Sequence, residues 1–196
     1  MSRRPSIRAA RRLVALALAV AVIAPAGLAP AQPGLAQEST PLERRVKAAF
    51  LYKFAGYVEW PASAFHGPGE PLVIGVLGDD PLATDLERLV RGRTSAGRPV
   101  LVRWIEDAAA PGNVHLLFIG RREHHRAAEV LRAVRQRPVL IVTESHDALE
   151  EGSMINFVID EGRVRFEVNL EAVDRNGLAL SSRLLTVARN VIPKGS

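Results

Sequence analysis

The spacing of apolar residues along the chain predicts an α/β domain. Apolar runs of about 4–8 residues are typical of strands buried in a parallel sheet. Such runs predict strands over residues 72–77, 100–105, 115–119 and 139–143. Apolar residues at helical spacing predict helices over residues 41–58, 81–91 and 122–135. Strands that alternate with helices of this length indicate βαβ units, and therefore a mostly parallel central sheet flanked by helices.

The first predicted helix has a defined start and one apolar face. Thr40 can cap it, Pro41 suits its first turn, and Glu43 lies three residues after Thr40, as in a capping box. A stripe at helical spacing follows, made of Val46, Phe50, Phe54 and Tyr57. We expect Phe50 and Phe54 to belong to the core, because they share a face with Val46.

Near the C-terminus the pattern changes to alternation over residues 154–159 and 164–169, on either side of Asp160-Glu161-Gly162. This pattern predicts a β-hairpin with a short glycine turn. Its inward residues are expected to be Ile155, Phe157, Ile159, Val164, Phe166 and Val168. Arg165, Glu167 and Asn169 face the other way, and Asn156 joins them in one of the registers open to the hairpin. A final helix is predicted over 182–191, burying Leu184, Leu185, Ala188, Val191 and Ile192.

Residues 1–36 have the pattern of a cleavable export signal. Five arginines and no acid occur there, and Leu13 to Ala24 is a run of twelve apolar residues. A membrane-spanning helix needs about 20 such residues, so the run fits a signal peptide better than an anchor. Cleavage is expected after Ala36, and an uncleaved anchor is the alternative. Residues 37–45 are then a linker and the start of the first helix, and residues 46–192 form one domain.

Charge and cysteine content exclude several classes of function. The chain has 26 Lys+Arg and 21 Asp+Glu, and five of the basic residues lie in the predicted signal. The remainder is therefore balanced in charge, and we expect no nucleic-acid partner. The chain has no cysteine, which excludes disulfides, thiol catalysis and cysteine metal sites.

No set of residues with catalytic spacing is found. Asp79 and Asp80 follow the first strand, but the chain has no lysine between Lys53 and Lys194 to complete a phosphoacceptor site, so helix capping is the better interpretation. The histidines lack the spacing of a zinc site; they are His66, His115, His124, His125 and His146. Ser153 begins a strand, where a nucleophile elbow would need a strand-to-helix turn. We expect no catalytic residues, no metal and no cofactor.

Several stretches of the chain resemble the YfiR family of periplasmic proteins. They are residues 46–54 with 58–61, residues 74–81, residues 152–157 with 164–170, and residues 180–185. The resemblance covers about 46–191. It implies a non-enzymatic repressor that acts on the periplasmic domain of an inner-membrane signalling protein, a diguanylate cyclase or a sensor kinase, and that can form a homodimer. Release of such a repressor raises cyclic di-GMP and favours biofilm. The best-studied member uses disulfides in redox control, which a chain without cysteine cannot do.

Four polar residues are predicted to border the partner or ligand site: Arg165, Glu167, Asn169 and Arg183. Neither strand alternation nor the face of the last helix requires them. Arg165 and Arg183 are expected to pair with acids of the partner, and Glu167 to orient Arg165. The alternative function is a periplasmic small-ligand-binding protein, with its pocket at the strand ends near Asp79 and the hairpin.

Overall fold

The computed structural model describes residues 39–195, which form an α/β domain around one large mixed sheet. The strands are β1 (Val58–Glu59), β2 (Leu72–Leu77), β3 (Thr94–Ser95), β4 (Arg98–Ile105), β5 (Leu116–Ile119), β6 (Leu140–Thr143), β7 (Ile155–Asp160), β8 (Arg163–Asn169), β9 (Ala179–Leu180) and β10 (Asn190–Ile192). The α-helices are α1 (Pro41–Tyr57), α2 (Asp80–Val90), α3 (Ala127–Ala133), α4 (Leu170–Arg175) and α5 (Ser182–Thr186). Short 3₁₀ helices span Ala62–Ala64 and Arg121–Arg126.

The main sheet has eight strands in the order β10-β8-β7-β6-β5-β2-β4-β3. Strands β4, β2, β5, β6 and β7 run parallel to one another. Helix α2 lies in the connection from β2 to β4 and helix α3 in that from β5 to β6, as in βαβ units, whereas β4–β5 and β6–β7 are connected without an α-helix. Strand β8 is antiparallel to its hairpin partner β7, and the edge strand β3 is antiparallel to β4, whereas β10 is parallel to β8. The predicted fold class is confirmed, and the sheet is mixed because its hairpin and its β3 edge are antiparallel.

The end of the chain differs from the prediction. The last helix, α5, stops at Thr186, and Val191 and Ile192 belong to strand β10 instead. Strand β8 would otherwise leave a row of backbone groups unpaired at the edge of the sheet. Pairing with β10 satisfies them, and the β-branched side chains of Val191 and Ile192 suit a strand. The helix predicted over 122–135 is also shorter, because its first turns are 3₁₀.

The hairpin turn explains the glycine of the predicted motif. Glu161 and Gly162 have φ angles of 48° and 71°, and both lie between paired Asp160 and Arg163. A two-residue turn with two positive φ angles is the type I′ turn, which matches the twist of the strands. The hairpin is thereby confirmed. Ile159, which was expected to face inward, is 50% exposed close to the turn.

Helix α1 is held to the hairpin by a cluster of phenylalanines. Phe54 is fully buried, and its ring centroid lies 4.9 Å from that of Phe166 and 5.7 Å from that of Phe157. Phe50 stacks on Phe54 at 5.8 Å but is only partly buried. The expectation that Phe54 is a core residue is confirmed, and Phe50 lies at the margin of the core.

A buried histidine joins the start of β5 to the start of β2. The Nδ1 atom of His115 accepts a hydrogen bond from the Val73 N–H at 3.1 Å. The Nε2 atom therefore carries the proton, and it donates to the carbonyl of Ala64 at 3.0 Å. Burial lowers the pKa of His115 below its ordinary value, so that the folded protein favours the neutral ring.

Truncation of Phe54 tests the role of the phenylalanine cluster. Phe54→Ala should lower the free energy of unfolding by about 3–5 kcal/mol, because it leaves a cavity between α1 and the hairpin. Leu42→Ala on the same helix is the control, since Leu42 is 73% exposed. Urea unfolding measures both variants. Equal, small losses would show that the cluster does not hold the helix to the sheet.

The lowered pKa of His115 predicts a pH dependence of stability. The unfolded chain takes up a proton at the ordinary histidine pKa of about 6.5, whereas the folded protein resists protonation. The free energy of unfolding should therefore fall as the pH decreases below 6.5 toward the folded pKa. Urea unfolding at pH 7.5 and pH 5.5 should show a smaller difference for His115→Gln than for wild type. His124→Gln, at an exposed position, should keep the wild-type difference.

Candidate functional site

A pocket with an apolar floor and a basic rim lies between α1, β8 and α5. Its volume is about 300 Å³. We call it the basic aromatic pocket, and its lining residues are Phe50, Lys53, Phe54, Tyr57, Arg165, Phe166, Arg183, Leu184 and Val187. The floor consists of the phenylalanines that hold α1 to the hairpin, so the core contacts also shape this site.

Backbone hydrogen bonds hold helix α5, which forms one wall of the pocket, against the end of α1. The N–H of Ser181, the residue before α5, donates to the carbonyl of Tyr57 at 2.9 Å. Strands β1 and β9 pair next to this bond, with Val58 opposite Leu180. Helix α5 thus begins at a defined place beside the end of α1, and this placement brings Arg183 to the same pocket as Arg165.

The basic rim of the pocket has no counter-charge. Within residues 39–195, Lys53, Arg165 and Arg183 form no ion pair and no side-chain hydrogen bond, and all three are exposed. Arg189, which directly precedes strand β10, does have counter-charges: it pairs with Glu167 at 2.6 Å and with Asp160 at 3.3 Å. Like charges gathered around an apolar surface without acids indicate a site that is complemented by another molecule.

The structure brings together two of the four predicted site residues. Arg165 and Arg183 both line the basic aromatic pocket, whereas Glu167 lines a separate groove beside Arg189. The expectation that Glu167 orients Arg165 is wrong, because the carboxylate of Glu167 is engaged by Arg189. That pair joins residues 22 positions apart, and no local spacing in the sequence indicates it.

Asn169 has a structural position. Its side chain is almost fully buried, and its oxygen accepts from the Ala172 N–H at 3.0 Å as the N-cap of α4. Its amide group donates to the Leu149 carbonyl at 3.1 Å. Asparagine is a preferred N-cap residue, and this preference could have indicated from the sequence that Asn169 caps a helix. Sequence analysis did not identify Lys53 and Val187 as pocket residues, because neither departs from the helical pattern of its segment.

The strand ends near Asp79 form a second polar region. The strand order reverses between β2 and β5, because β4 follows β2 on one side and β5 is added on the other, and ligands of open α/β sheets often bind at such a point. Here the two loops touch each other: a Cβ atom on Gly120 would lie 2.9 Å from the carbonyl oxygen of Gly78. Glycine at position 120 allows this approach, and the contact narrows the space between the ends of β2 and β5 where a ligand would bind.

A buried lysine from α1 occupies the same region. Lys47 is 1% exposed, and its ammonium group donates to Glu43, to Glu144 and, at 2.9 Å, to Ser39. The other oxygen of Glu144 accepts from the Arg121 N–H at 3.0 Å. The ion pairs therefore tie α1 to the ends of β5 and β6.

Asp79 caps helix α2, as the sequence led us to expect. Its carboxylate accepts from the Leu82 N–H at 3.0 Å, and burial raises its pKa. A groove of about 960 Å³ opens beside Glu144 toward Glu167 and Arg189, with both acidic and basic residues. No cluster of three metal-ligating side chains occurs in the part of the chain that the structure describes. Ligand binding near Asp79 stays a prediction.

Comparison with known proteins places the chain in a family. The YfiR/HmsC-like family model matches residues 44–189, and the chain belongs to this family. The family is known for regulation of diguanylate cyclase signalling, and it is periplasmic. In residues 39–195, none of the helices combines the length and the apolar character that crossing a membrane requires.

A solved structure gives a more distant likeness. It is an ABC domain from Streptococcus pneumoniae in complex with L-Trp, 13% identical, with a TM-score of 0.49. The match covers 62% of this chain and 55% of that one, so the chain spans about half of its length.

Replacement of Lys47 tests the buried ion pairs. Lys47→Met should lower the free energy of unfolding by about 3–5 kcal/mol, because it leaves buried Glu144 without its cation. Lys53→Met is the matched control on the same helix, and should change stability by less than about 0.5 kcal/mol, since Lys53 is exposed. Thermal and urea unfolding measure both. A stable Lys47→Met protein would mean that hydrophobic contacts alone position α1.

Proposed function

We propose that this protein is an exported, non-enzymatic regulator in the periplasm. It binds the periplasmic domain of an inner-membrane signalling protein, a diguanylate cyclase or a sensor kinase, and holds it inactive. Family membership supports the signalling system. The arginine-rich, apolar pattern of residues 1–36, which lie outside the described residues, supports export.

The basic aromatic pocket carries the proposal. Its three cations lack partners within the described chain, and its floor is apolar. The complementary partner surface is an apolar or aromatic side chain flanked by carboxylates. The side chain fills a space of about 300 Å³ and excludes water, and the carboxylates pair with Lys53, Arg165 and Arg183. A central apolar anchor with surrounding charge pairs is the usual arrangement of a specific interface.

The rigidity of the pocket favours recognition of a folded partner. Two of its walls are a long helix and a strand of the main sheet, and the third is attached to the first by the bond from Ser181 to Tyr57. A surface on such elements is already ordered before binding, so that less conformational entropy is lost when the complex forms.

The position of Ser153 supports a role without catalysis. Its hydroxyl is buried, donates to the Ile155 carbonyl at 3.0 Å, and lies 2.9 Å from the Thr143 hydroxyl. A nucleophile would need to be exposed and close to a general base. The one serine whose sequence context resembles a nucleophile motif is thus part of the packing between β6 and β7.

Charge reversal in the pocket tests the proposal. The chain is expressed together with an inner-membrane diguanylate cyclase of the same genome, and cyclic di-GMP is measured. Wild-type protein should lower the cyclic di-GMP level, and Arg165→Glu with Arg183→Glu should restore it, because carboxylates of the partner are then repelled. Both residues are exposed, so the melting temperature should stay almost unchanged.

Arg163→Glu is the control variant. Arg163 is exposed on the same strand as Arg165 but does not line the pocket, and this variant should repress like wild type. Equal repression by the pocket variant and the control, at equal periplasmic protein levels, would place the partner surface elsewhere. Loss of repression accompanied by unfolding of the pocket variant would show that the arginines serve the fold.

A further inference from the structure

A second pocket lies at the end of the sheet where β2 and β4 begin. Its volume is about 510 Å³, within the usual range of small-molecule sites. We call it the base pocket, and its walls include Glu59, Trp60, Phe65, Leu72, Ser95 and Arg98. None of these residues lines the basic aromatic pocket, and none was singled out as a site residue from the sequence.

One positive charge is held in a fixed position in the base pocket. The guanidinium of Arg98 lies 3.7 Å from the centroid of the Phe65 ring, and its Nη1 atom donates to the carbonyls of Gly67 and Glu70 at 3.0 and 2.9 Å. Arg98 forms no ion pair within residues 39–195, and its Nη2 atom has no hydrogen-bond acceptor there. A half-buried guanidinium that is already oriented, with a donor to spare, is suited to a carboxylate.

The remaining walls define the size and polarity of a ligand. Trp60 donates its indole N–H to the Ala55 carbonyl at 3.1 Å, which fixes its ring as an apolar wall beside Leu72. Ser95 is 7% exposed, and its hydroxyl has no hydrogen-bond partner. A buried hydroxyl without a partner is unfavourable, and a bound carboxylate would supply one. Glu59 is exposed and carries a negative charge, so a ligand with a second negative charge is disfavoured.

The base pocket is connected directly to the basic aromatic pocket. Tyr57 lines the basic aromatic pocket, and the next three residues, 58–60, line the base pocket. Strand β1 pairs with β9, and β9 leads into α5, which carries Arg183. A ligand that displaces β1 therefore moves the start of α5 relative to α1.

We propose that the base pocket binds a small organic monocarboxylate, and that this binding changes the geometry of the basic aromatic pocket through β1 and β9. The carboxylate lies against Arg98 and the apolar body against Trp60 and Leu72. The second half of the proposal rests on the proposed function, because it makes the ligand a regulator of partner binding without the use of thiols.

Tryptophan fluorescence tests binding without any partner. The chain has two tryptophans, and Trp104→Phe leaves Trp60 as the only reporter. Benzoate, used as the probe, should quench its emission in a saturable manner, and benzamide, the neutral isostere, should bind about tenfold or more weakly, since it cannot form a charged hydrogen bond. An absence of saturable quenching, or equal binding of benzoate and benzamide, would overturn the proposal.

Variants in the Trp104→Phe background locate the site. Arg98→Gln should weaken benzoate binding about tenfold or more, and Arg103→Gln on the same strand should not. If Arg98→Gln does not fold, Ala62→Phe serves instead, because Ala62 lines the base pocket and is exposed. It should block benzoate by filling the space. Binding that survives both substitutions would overturn the assignment of the site.

Hydrogen exchange tests the connection between the pockets. With saturating benzoate, amide exchange in residues 179–187 should change, and exchange in β6 should not. Binding with unchanged exchange in 179–187 would overturn the regulatory half of the proposal. These measurements use the isolated protein, so they remain decisive even if the repression experiment shows that the partner binds elsewhere.

Discussion

The contact between α1 and the C-terminal hairpin is the one on which the basic aromatic pocket and its surroundings depend. Phe54 is enclosed by Phe166 and Phe157, with ring centroids 4.9 and 5.7 Å away. Once this contact fixes α1, Lys47 lies at the ends of β5 and β6, and Lys53 lies at the rim of the basic aromatic pocket. The strand β1 that follows the helix is then placed to pair with β9. One apolar contact therefore aligns a buried ion pair, a surface site and the link between two pockets.

Charged residues in this domain divide by whether the fold supplies a partner for them. Lys47 is buried and is held by carboxylates, and Arg189 is exposed but bound to two acids. Such pairs stabilise the arrangement of α1 and of β10. The arginines of the basic aromatic pocket and Arg98 of the base pocket form no ion pair within residues 39–195. Charges that the fold leaves without counter-ions are the ones best explained by binding.

Periodicity predicted the elements whose contacts are local or repetitive. The buried runs became β2, β5 and β6, and the glycine turn became a type I′ hairpin, because burial and φ angles leave few alternatives. Periodicity does not predict which distant segments of the chain pair with each other. Val191 and Ile192 fit a helical face as well as a strand, and only the open edge of β8 decides between them. The structure places Arg165 at the basic aromatic pocket, and its part in binding stays a prediction, whereas Asn169 caps a short helix that the pattern did not indicate.

Site-specific photocrosslinking in cells tests the central claim most directly, namely that the basic aromatic pocket faces the membrane partner. Val187 lines this pocket and is 58% exposed, and Leu101 is 52% exposed on β4, outside the pocket. A photoreactive amino acid at either position should leave the fold intact, since both side chains are exposed. The predicted result is a crosslink to the inner-membrane signalling protein from position 187 and none from position 101. A crosslink from position 101 alone would contradict the proposed interface.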